Sequence, residues 1–322
     1  MVHHRVISTK ETELGCKQCP AKQVTFNKKN VRYAAIDIGS NAVRLLIADI
    51  LEKTEGVVYT KNTLLRVPLR LGDDAFIDKH ISTGKFNDMV KTMGAFRNLL
   101  DVYKVSDYMA CATSAMREAG NGAEVVRACQ EVGVDIQIID GGLEAEIIYN
   151  SYLHGTMDRD KTYLYIDVGG GSTEISLFSD GKLVASQSFN LGTIRILDNQ
   201  DDKQTWEEMR HWVREHTRAY KHIYGIGTGG NINKLSRLAN EKMDKPMTYA
   251  KIKAIYDYLN SLSLKDRIHE VGLRSDRADV IIPASEIFLT IMKVGRLKNI
   301  TAPRLGLVDG IIQTLIDKNF KK

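Results

Sequence analysis

The sequence predicts an α/β protein made of two related domains that face each other across a cleft. From Val31 onward, apolar runs bounded by glycine alternate with segments of helical periodicity. The segment around Asp37 recurs without a gap around Asp167, which follows it by 130 residues. In each copy an aspartate ends a strand and a glycine-containing turn follows, so we interpret the repeat as a duplicated fold.

The composition excludes several classes of protein. With 43% hydrophobic and 26% charged residues, 25 Gly and 5 Pro, the chain is neither collagen-like, disordered nor a small disulfide scaffold. A length of 322 residues is sufficient for about two domains, each with its own core. Even the most apolar helix candidate, near Val280–Val294, contains Glu286 and Lys293. Because we also find no secretory signal, we expect a cytoplasmic protein without a membrane partner.

The positive charge is concentrated at the start of the chain. The net charge is +5, and residues 1–30 contain six Lys or Arg against two Glu, which leaves the rest nearly neutral. We therefore predict a basic N-terminal extension and no nucleic-acid partner, since a binding surface would spread its cations over one folded face. Within this extension Cys16 and Cys19 have the spacing of half a zinc site; the alternative is a disordered tail.

The first predicted domain covers residues 31–153. Its first strand ends at Asp37, and a second strand runs from Ala42 to Asp49. After Thr83, apolar residues recur at helical spacing as far as Tyr103, which predicts a long amphipathic helix. The other predicted elements are strands at Gly56–Asn62, Tyr108–Thr113 and Val134–Ile139, and helices at Glu118–Val132 and Leu143–Leu153.

The second predicted domain covers residues 154–322. It opens with the repeated hairpin, which we place at Tyr163–Phe178. The remaining predicted elements are strands at Val184–Ser188 and His222–Gly227, and helices at Lys203–His216, Asn231–Ala239, Tyr249–Leu262, Leu264–Val271, Ala278–Val294 and Val308–Asp317.

Three glycine-containing turns are candidates for phosphate binding. Glycine tolerates the close approach that lets backbone N–H groups point at one anion. A single hairpin turn rich in glycine is also explained by its backbone geometry alone. Three related turns favour phosphate, and the third follows a strand and opens a helix. The candidate phosphate-binding residues are Gly39, Ser40, Asn41, Gly169, Gly170, Gly171, Ser172, Gly227, Thr228, Gly229 and Gly230.

Two aspartates are candidate metal ligands. Asp37 and Asp167 end equivalent strands, so we expect their carboxylates to meet across the cleft beside the phosphate turns. Hard oxygen ligands next to phosphate suit Mg²⁺, which proteins hold through one or two carboxylates with water completing the shell. The alternative is an aspartate that only caps a turn.

Several motifs together resemble one family. They are Ile36-Asp37-Ile38-Gly39-Ser40-Asn41 with Arg44, the segment from Ala112 to Ala119, Ile166-Asp167-Val168-Gly169-Gly170-Gly171-Ser172-Thr173-Glu174, and Gly227-Thr228-Gly229-Gly230. This set is similar to the exopolyphosphatase and guanosine pentaphosphate phosphohydrolase (Ppx/GppA) family, in its short two-domain form. The resemblance implies two duplicated actin-like, ribonuclease H-like domains with an interdomain cleft. It also implies a homodimer and a last helix that packs back on the first domain.

The resemblance implies hydrolysis of a terminal phosphoanhydride bond in inorganic polyphosphate or guanosine pentaphosphate, with release of orthophosphate. Glu144 matches the position of the family's catalytic glutamate, which orients or deprotonates water, and we include it among the Mg²⁺ ligands. Arg117, near the start of a predicted helix, is a candidate clamp on phosphate.

Two other functions remain open. Relatives commonly carry an acidic residue and an arginine around the catalytic glutamate, where this chain has Leu143 and Glu146. A non-catalytic sensor of an alarmone or polyphosphate is therefore one alternative, and an ATP-dependent small-molecule kinase of the same superfold is another. No contiguous basic run predicts a track for a long phosphate chain, and the scattered candidates are Arg32, Arg66, Arg70, Arg195 and Arg304.

Overall fold

The computed structural model describes residues 31–54, 56–153, 158, 160–239, 245–303 and 305–320. The predicted basic extension at residues 1–30, with Cys16 and Cys19, lies outside the described residues, as does Arg304. Among the helices of the described ranges, none combines the length and the apolar character needed to cross a membrane.

The first sheet has five strands in the order β3-β2-β1-β4-β5. β1 pairs antiparallel with β2 and parallel with β4, so it lies at the centre of the sheet. Its last six residues are buried, as expected for a strand covered on both faces. The strands are β1 (Val31–Ile38), β2 (Val43–Lys53), β3 (Gly56–Val67), β4 (Asp107–Ala112) and β5 (Ile136–Ile138).

β3 continues five residues beyond the predicted end at Asn62. It pairs with β2 as far as Val67, and the register shifts once, between Ile47 and Ala48 of β2. Such a bulge bends the ribbon and lets a long hairpin stay paired. The sequence prediction ended too early because residues 63–67 lack the alternation typical of a half-buried strand.

Five helices accompany the first sheet. They are α1 (Leu71–Ala75), α2 (Thr83–Val102), α3 (Ser114–Glu118), α4 (Gly122–Glu131) and α5 (Gly141–Leu153). The single helix predicted at Glu118–Val132 is wrong, because the chain breaks between α3 and α4. The side chain of Asn121 accepts a hydrogen bond from Ile81 N and donates one to Ile81 O. A Cβ at Gly122 would lie 2.2 Å from the carbonyl oxygen of Met116, so the break requires glycine there.

The second sheet repeats the topology of the first. Its order is β10-β11-β9-β6-β7-β8, and β6 pairs antiparallel with β7 and parallel with β9, as β1 does with β2 and β4. Five adjacent strands of this sheet therefore match the whole first sheet in order. The strands are β6 (Tyr163–Val168), β7 (Thr173–Ser179), β8 (Lys182–Phe189), β9 (Tyr224–Thr228), β10 (Met247–Thr248) and β11 (Asn299–Thr301).

The described residues of the second half form eight helices. They are α6 (Thr193–Leu197), α7 (Lys203–Thr217), α8 (Gly230–Leu238), α9 (Tyr249–Ser261), α10 (Leu264–His269), α11 (Ser275–Ala278), α12 (Ile281–Val294) and α13 (Leu307–Phe320). The helix predicted at Ala278–Val294 is wrong at its start. Asp279 Oδ1 accepts the N–H of Val280 at 2.8 Å, and Pro283 lies in the first turn of α12, where its missing N–H costs nothing.

The last helix packs on the first sheet. α13 contacts α5 and β1, and its apolar residues share a buried cluster with Ala35 of β1 and Ile147 of α5. The crossing with α5 is close because Gly310 has no side chain: a Cβ there would lie 2.3 Å from the carbonyl oxygen of Ile147. The predicted boundary between residues 153 and 154 falls between α5 and β6 and stays a prediction.

We predict opposite effects for two glycine-to-alanine substitutions in helices. Gly310→Ala must separate α13 from α5 and should lower the free energy of unfolding by about 1–3 kcal/mol. At Gly84, near the start of α2, a Cβ meets nothing within 4 Å, so Gly84→Ala should raise it by up to about 1 kcal/mol. Urea unfolding of both variants measures the difference. Equal stability of the two would contradict the close crossing.

Candidate functional site

A cavity of about 470 Å³ lies between the two sheets. Both copies of the repeated hairpin contribute to its wall, with Asp37 at the end of β1 and Asp167 at the end of β6. The equivalent aspartates therefore border one cavity. This arrangement follows from the matched topology, which places the ends of equivalent strands at equivalent points of the two sheets.

The two hairpin turns are built alike and contact each other. Gly39 N–H donates to Ala42 O at 3.2 Å, and Gly169 N–H donates to Ser172 O at 2.9 Å. A Cβ at Gly170 would lie 3.0 Å from Ser40 Cβ, so glycine is needed where the turns approach. Gly39, Ser40, Asn41, Gly169, Gly170 and Ser172 all line the cavity.

Gly171 supports the turn from behind and does not line the cavity. A Cβ at this position would lie 2.1 Å from Cζ of Phe76, and its carbonyl oxygen accepts a hydrogen bond from Arg195 Nε at 2.6 Å. The backbone of Gly171 therefore packs against an aromatic ring and anchors an arginine.

The third glycine segment, Gly227–Gly230, contributes its first two residues to the core and its last two to the cavity. A Cβ at Gly227 would lie 2.9 Å from both Ile232 and Ile300, so this glycine serves packing. The Thr228 hydroxyl accepts a hydrogen bond from Tyr165 Oη at 2.7 Å and is buried. Only Gly229, with φ of 95°, and Gly230 line the cavity.

Five carboxylates line the cavity: Asp37, Glu144, Asp167, Glu174 and Asp309, of which the first four form the cluster described here. Glu144 lies in the first turn of α5, and Glu174 lies opposite Asp167 in the register of β6 and β7. Directly opposed residues of an antiparallel pair point to the same face of the sheet, so both acids reach the same space. Glu174 is 3% exposed and accepts a hydrogen bond from Ser188 Oγ at 2.9 Å.

Burial and crowding raise the pKa values of three of these acids. Burial and the charge of Asp167 raise the pKa of Glu174 to about 7. Burial also raises the pKa of Asp167 to about 6, although Arg44 and the Thr228 hydroxyl oppose this shift. The pKa of Glu144 is well above the usual glutamate range because of burial and the charges of Glu174, Asp167 and Asp37. The cluster therefore favours a ligand that brings positive charge.

Arg117 lies near the carboxylates without lining the cavity. Its Nη1 donates to the carbonyl oxygen of Ile139 at 2.7 Å, and the side chain is exposed. Its positive charge nevertheless lowers the pKa values of Glu144 and Glu174. In this arrangement Arg117 acts on the carboxylates through its field rather than by a contact inside the cavity.

Five basic side chains also line the cavity, and we call them the basic wall. They are Arg44, Lys61, Arg66, Arg237 and Arg277. Arg44 Nη1 donates to Asp37 Oδ2, and Lys61 Nζ lies 2.6 Å from Asp309 Oδ1. Burial, together with the charges of Arg66 and Arg44, lowers the pKa of Arg277 to about 10, so cations are crowded around Arg277.

The basic wall consists largely of other residues than the scattered arginines that the sequence suggested for a phosphate track. Only Arg66 of those described is a wall residue. Arg32 pairs with Asp49, and Arg195 donates to Glu118 and to the carbonyl of Gly171. Arg70 pairs with Asp73 and Asp279. Sequence reasoning missed Lys61 and Arg237, because neither belongs to a motif. It also gave no role to Glu174, although the position of Glu174 opposite Asp167 in the predicted hairpin was a usable signal.

The donor set suits a metal bound together with phosphate. No three His, Cys, Asp or Glu within the described ranges are arranged to hold a metal by themselves. Mg²⁺ usually takes one or two carboxylates and completes its shell with water and phosphate oxygens. Asp37 and Asp167 are such carboxylates, beside turns that can hold an anion.

Comparison with known proteins identifies the family of this chain. The model of the Ppx/GppA phosphatase family matches residues 50–319. The fold is similar to an exopolyphosphatase from Cytophaga hutchinsonii, with TM-score 0.78 and 22% identity over 89% of this chain and 98% of that one. It is also similar to the Aquifex aeolicus Ppx/GppA family member, with TM-score 0.73 and 23% identity over 91% and 99%. The predicted fold of two actin-like domains around a cleft is confirmed, and the chain belongs to the Ppx/GppA phosphatase family.

Proposed function

We propose that the protein hydrolyses a terminal phosphoanhydride bond of inorganic polyphosphate or guanosine pentaphosphate and releases orthophosphate. One observation carries the proposal: a single cavity combines two facing glycine turns, five carboxylates and five basic side chains. Phosphoryl transfer needs positioning and charge stabilisation more than covalent chemistry, and these groups supply both.

The turns would hold the terminal phosphate. The backbone N–H groups of Ser40 and Gly170, at the middle of each turn, have no hydrogen-bond partner within the described part of the chain. Both residues line the cavity. Free amides on facing turns suit the oxygens of one phosphoryl group, and the basic wall suits the phosphates that follow it.

Glu144 would act as the general base. Water attacks the terminal phosphorus, its proton passes to a carboxylate oxygen of Glu144, and the bridging P–O bond breaks. The electron pair of that bond stays on the shortened phosphate chain. A base works best when its pKa lies near the working pH, and the raised pKa of Glu144 moves it in that direction.

Mg²⁺ is the cofactor we propose, with Asp37 and Asp167 as its protein ligands. Glu144, which the sequence also suggested as a ligand, serves instead as the base, since no three carboxylates of the described ranges are arranged to hold a metal. When bound, it would neutralise charge on the phosphoryl oxygens and so stabilise the transferring group. Neighbouring side chains hold the carboxylates of Asp37 and Asp167 in place for a cation. Arg44 holds Asp37 through a hydrogen bond, and the Thr228 hydroxyl fixes Asp167. We further propose a homodimer, which the resemblance implies and sedimentation velocity would test; a cytoplasmic location stays a prediction.

The direct test is orthophosphate release from purified protein. Tripolyphosphate, longer polyphosphates and guanosine pentaphosphate are each assayed with Mg²⁺ and with a chelator. We expect release in Mg²⁺ and its loss in the chelator. Tight calorimetric binding without release from any substrate would contradict hydrolysis and support the sensor alternative.

The role of Glu144 is tested by substitution with glutamine. Glu144→Gln removes the proton acceptor and keeps the size of the side chain, so phosphate release should fall by about 10²–10⁴-fold. Glu146→Gln, an exposed residue of the same helix, is the matched control and should keep normal turnover. Unchanged release by Glu144→Gln would remove this residue from the mechanism.

The crowding of carboxylates predicts a pH-dependent effect on stability. The pKa of Glu174 is about 7 in the folded protein and near the ordinary glutamate value of 4.5 in the unfolded chain, so the folded state binds the proton more tightly. Ionisation then destabilises the fold progressively as the pH rises from about 4.5 to 7. Gln cannot ionise, so Glu174→Gln should gain up to about 3 kcal/mol above pH 7 and almost nothing at pH 4.

Denaturant unfolding in chelator at pH 4 and pH 8 measures this gain. Mg²⁺ should reduce it at pH 8, because a bound cation compensates the carboxylates of the wild type. A variant that is no more stable than the wild type at pH 8 would show that the carboxylates do not repel one another.

A further inference from the structure

One partly buried ion pair joins the basic wall of the cavity to the opposite half of the molecule. Arg66 Nη1, at the end of β3, donates to Asp276 Oδ2 of α11. Their side chains are 12% and 13% exposed, so water screens the pair poorly. Arg66 lines the cavity, so this pair lies where phosphate is proposed to bind.

The surroundings of Arg66 are short of negative charge. Burial lowers its pKa, Asp276 opposes that shift, and the nearby charges of Arg44 and Arg274 add to the lowering. Arg277 adds another guanidinium to the same wall, and its Nη1 donates to a backbone carbonyl, that of Gly230, at 3.1 Å. Several cations therefore share very few anions here.

The hydrogen bonds of Arg66 are incomplete. Its Nε is buried and has no partner among the described residues, and the same holds for Oδ1 of Asn41. Asn41 lies beside the pair, since its Nδ2 donates to the backbone carbonyl of Asp276 at 3.4 Å. A carboxylate can accept two parallel hydrogen bonds from a guanidinium, so Asp276 satisfies Arg66 only in part. A phosphate group would offer more acceptor oxygens to the same guanidinium.

We propose that Asp276 is a resident counter-ion of Arg66 that a phosphate group of the substrate displaces. The inference rests on the proposed function for the identity of that anion. Asp276 keeps the guanidinium in place when the cavity holds no phosphate, and it competes with phosphate for the same donor. Displacement also breaks a link between β3 and α11, so phosphate binding loosens one contact between the two halves.

A neighbouring ion pair provides the matched control. Arg70 Nη1 lies 2.7 Å from Asp279 Oδ2, and the side chains are 25% and 24% exposed. This pair also joins the segment after β3 to the segment after α11, but neither residue lines the cavity. Asp279→Asn keeps the Oδ1 acceptor for Val280 N–H and removes one charge, as Asp276→Asn does.

Calorimetric titration with tripolyphosphate tests the proposal. Every chain carries Glu144→Gln so that substrate is not consumed. Because the competitor for Arg66 loses its charge, Asp276→Asn should bind tripolyphosphate about five- to tenfold more tightly. Asp279→Asn should stay within about twofold of the reference, and Arg66→Met should bind more weakly. Weaker binding by Asp276→Asn would mean that Asp276 only positions Arg66, and unchanged binding would mean that phosphate does not reach Arg66; both contradict the proposal.

Two further measurements separate competition from general damage. In a chain that already carries Arg66→Met, Asp276→Asn should not change the affinity for tripolyphosphate further. Without the guanidinium of Arg66, Asp276 no longer competes with phosphate for it. Thermal unfolding should show Asp276→Asn to be less stable without ligand, since Arg66 is left buried and unpaired, and to gain more from tripolyphosphate than the reference does. An equal gain would overturn the proposal.

The outcome is distinguishable from failure of the proposed function. Absence of phosphate release by the wild type contradicts hydrolysis, while the titrations still report whether Asp276 competes with an anion for Arg66. Conversely, normal release with no effect of Asp276→Asn on affinity leaves hydrolysis in place and removes the counter-ion.

Discussion

The structure depends on charges of both signs held at close quarters in one cavity. Carboxylates from both halves raise one another's pKa values, and guanidinium groups of the facing wall have too few anions. Burial makes each imbalance more costly than it would be at the surface. A ligand that combines phosphate with a divalent cation would satisfy both groups, whereas either ion alone would satisfy one.

Duplication of the fold explains how this cavity forms. The first sheet and five strands of the second share one order, so equivalent strands end beside each other's turns. Asp37 and Asp167 border one cavity for this reason, and Gly170 is small enough to let its turn contact Ser40. The last helix then returns to the first sheet through the close crossing at Gly310.

Much of the fold and part of the site could be predicted from the sequence, because hairpin pattern and repeat are local properties of the chain. The strands ending at Asp37 and Asp167 and most turn residues belong to this part. Contacts between distant segments could not be predicted. Gly227 and Arg195 satisfy the same local patterns as true cavity residues. In the folded protein, however, Gly227 packs in the core and Arg195 binds a backbone carbonyl. Lys61 reaches the cavity only because β3 runs beside the start of α13.

The most direct measurement is a crystal structure of Glu144→Gln with Mg²⁺ and tripolyphosphate. We expect density for a terminal phosphate between the turns at Gly39–Asn41 and Gly169–Ser172, with Mg²⁺ against Asp37 or Asp167 and the remaining phosphates along the basic wall. Tripolyphosphate bound elsewhere on the molecule, with these turns empty, would contradict it.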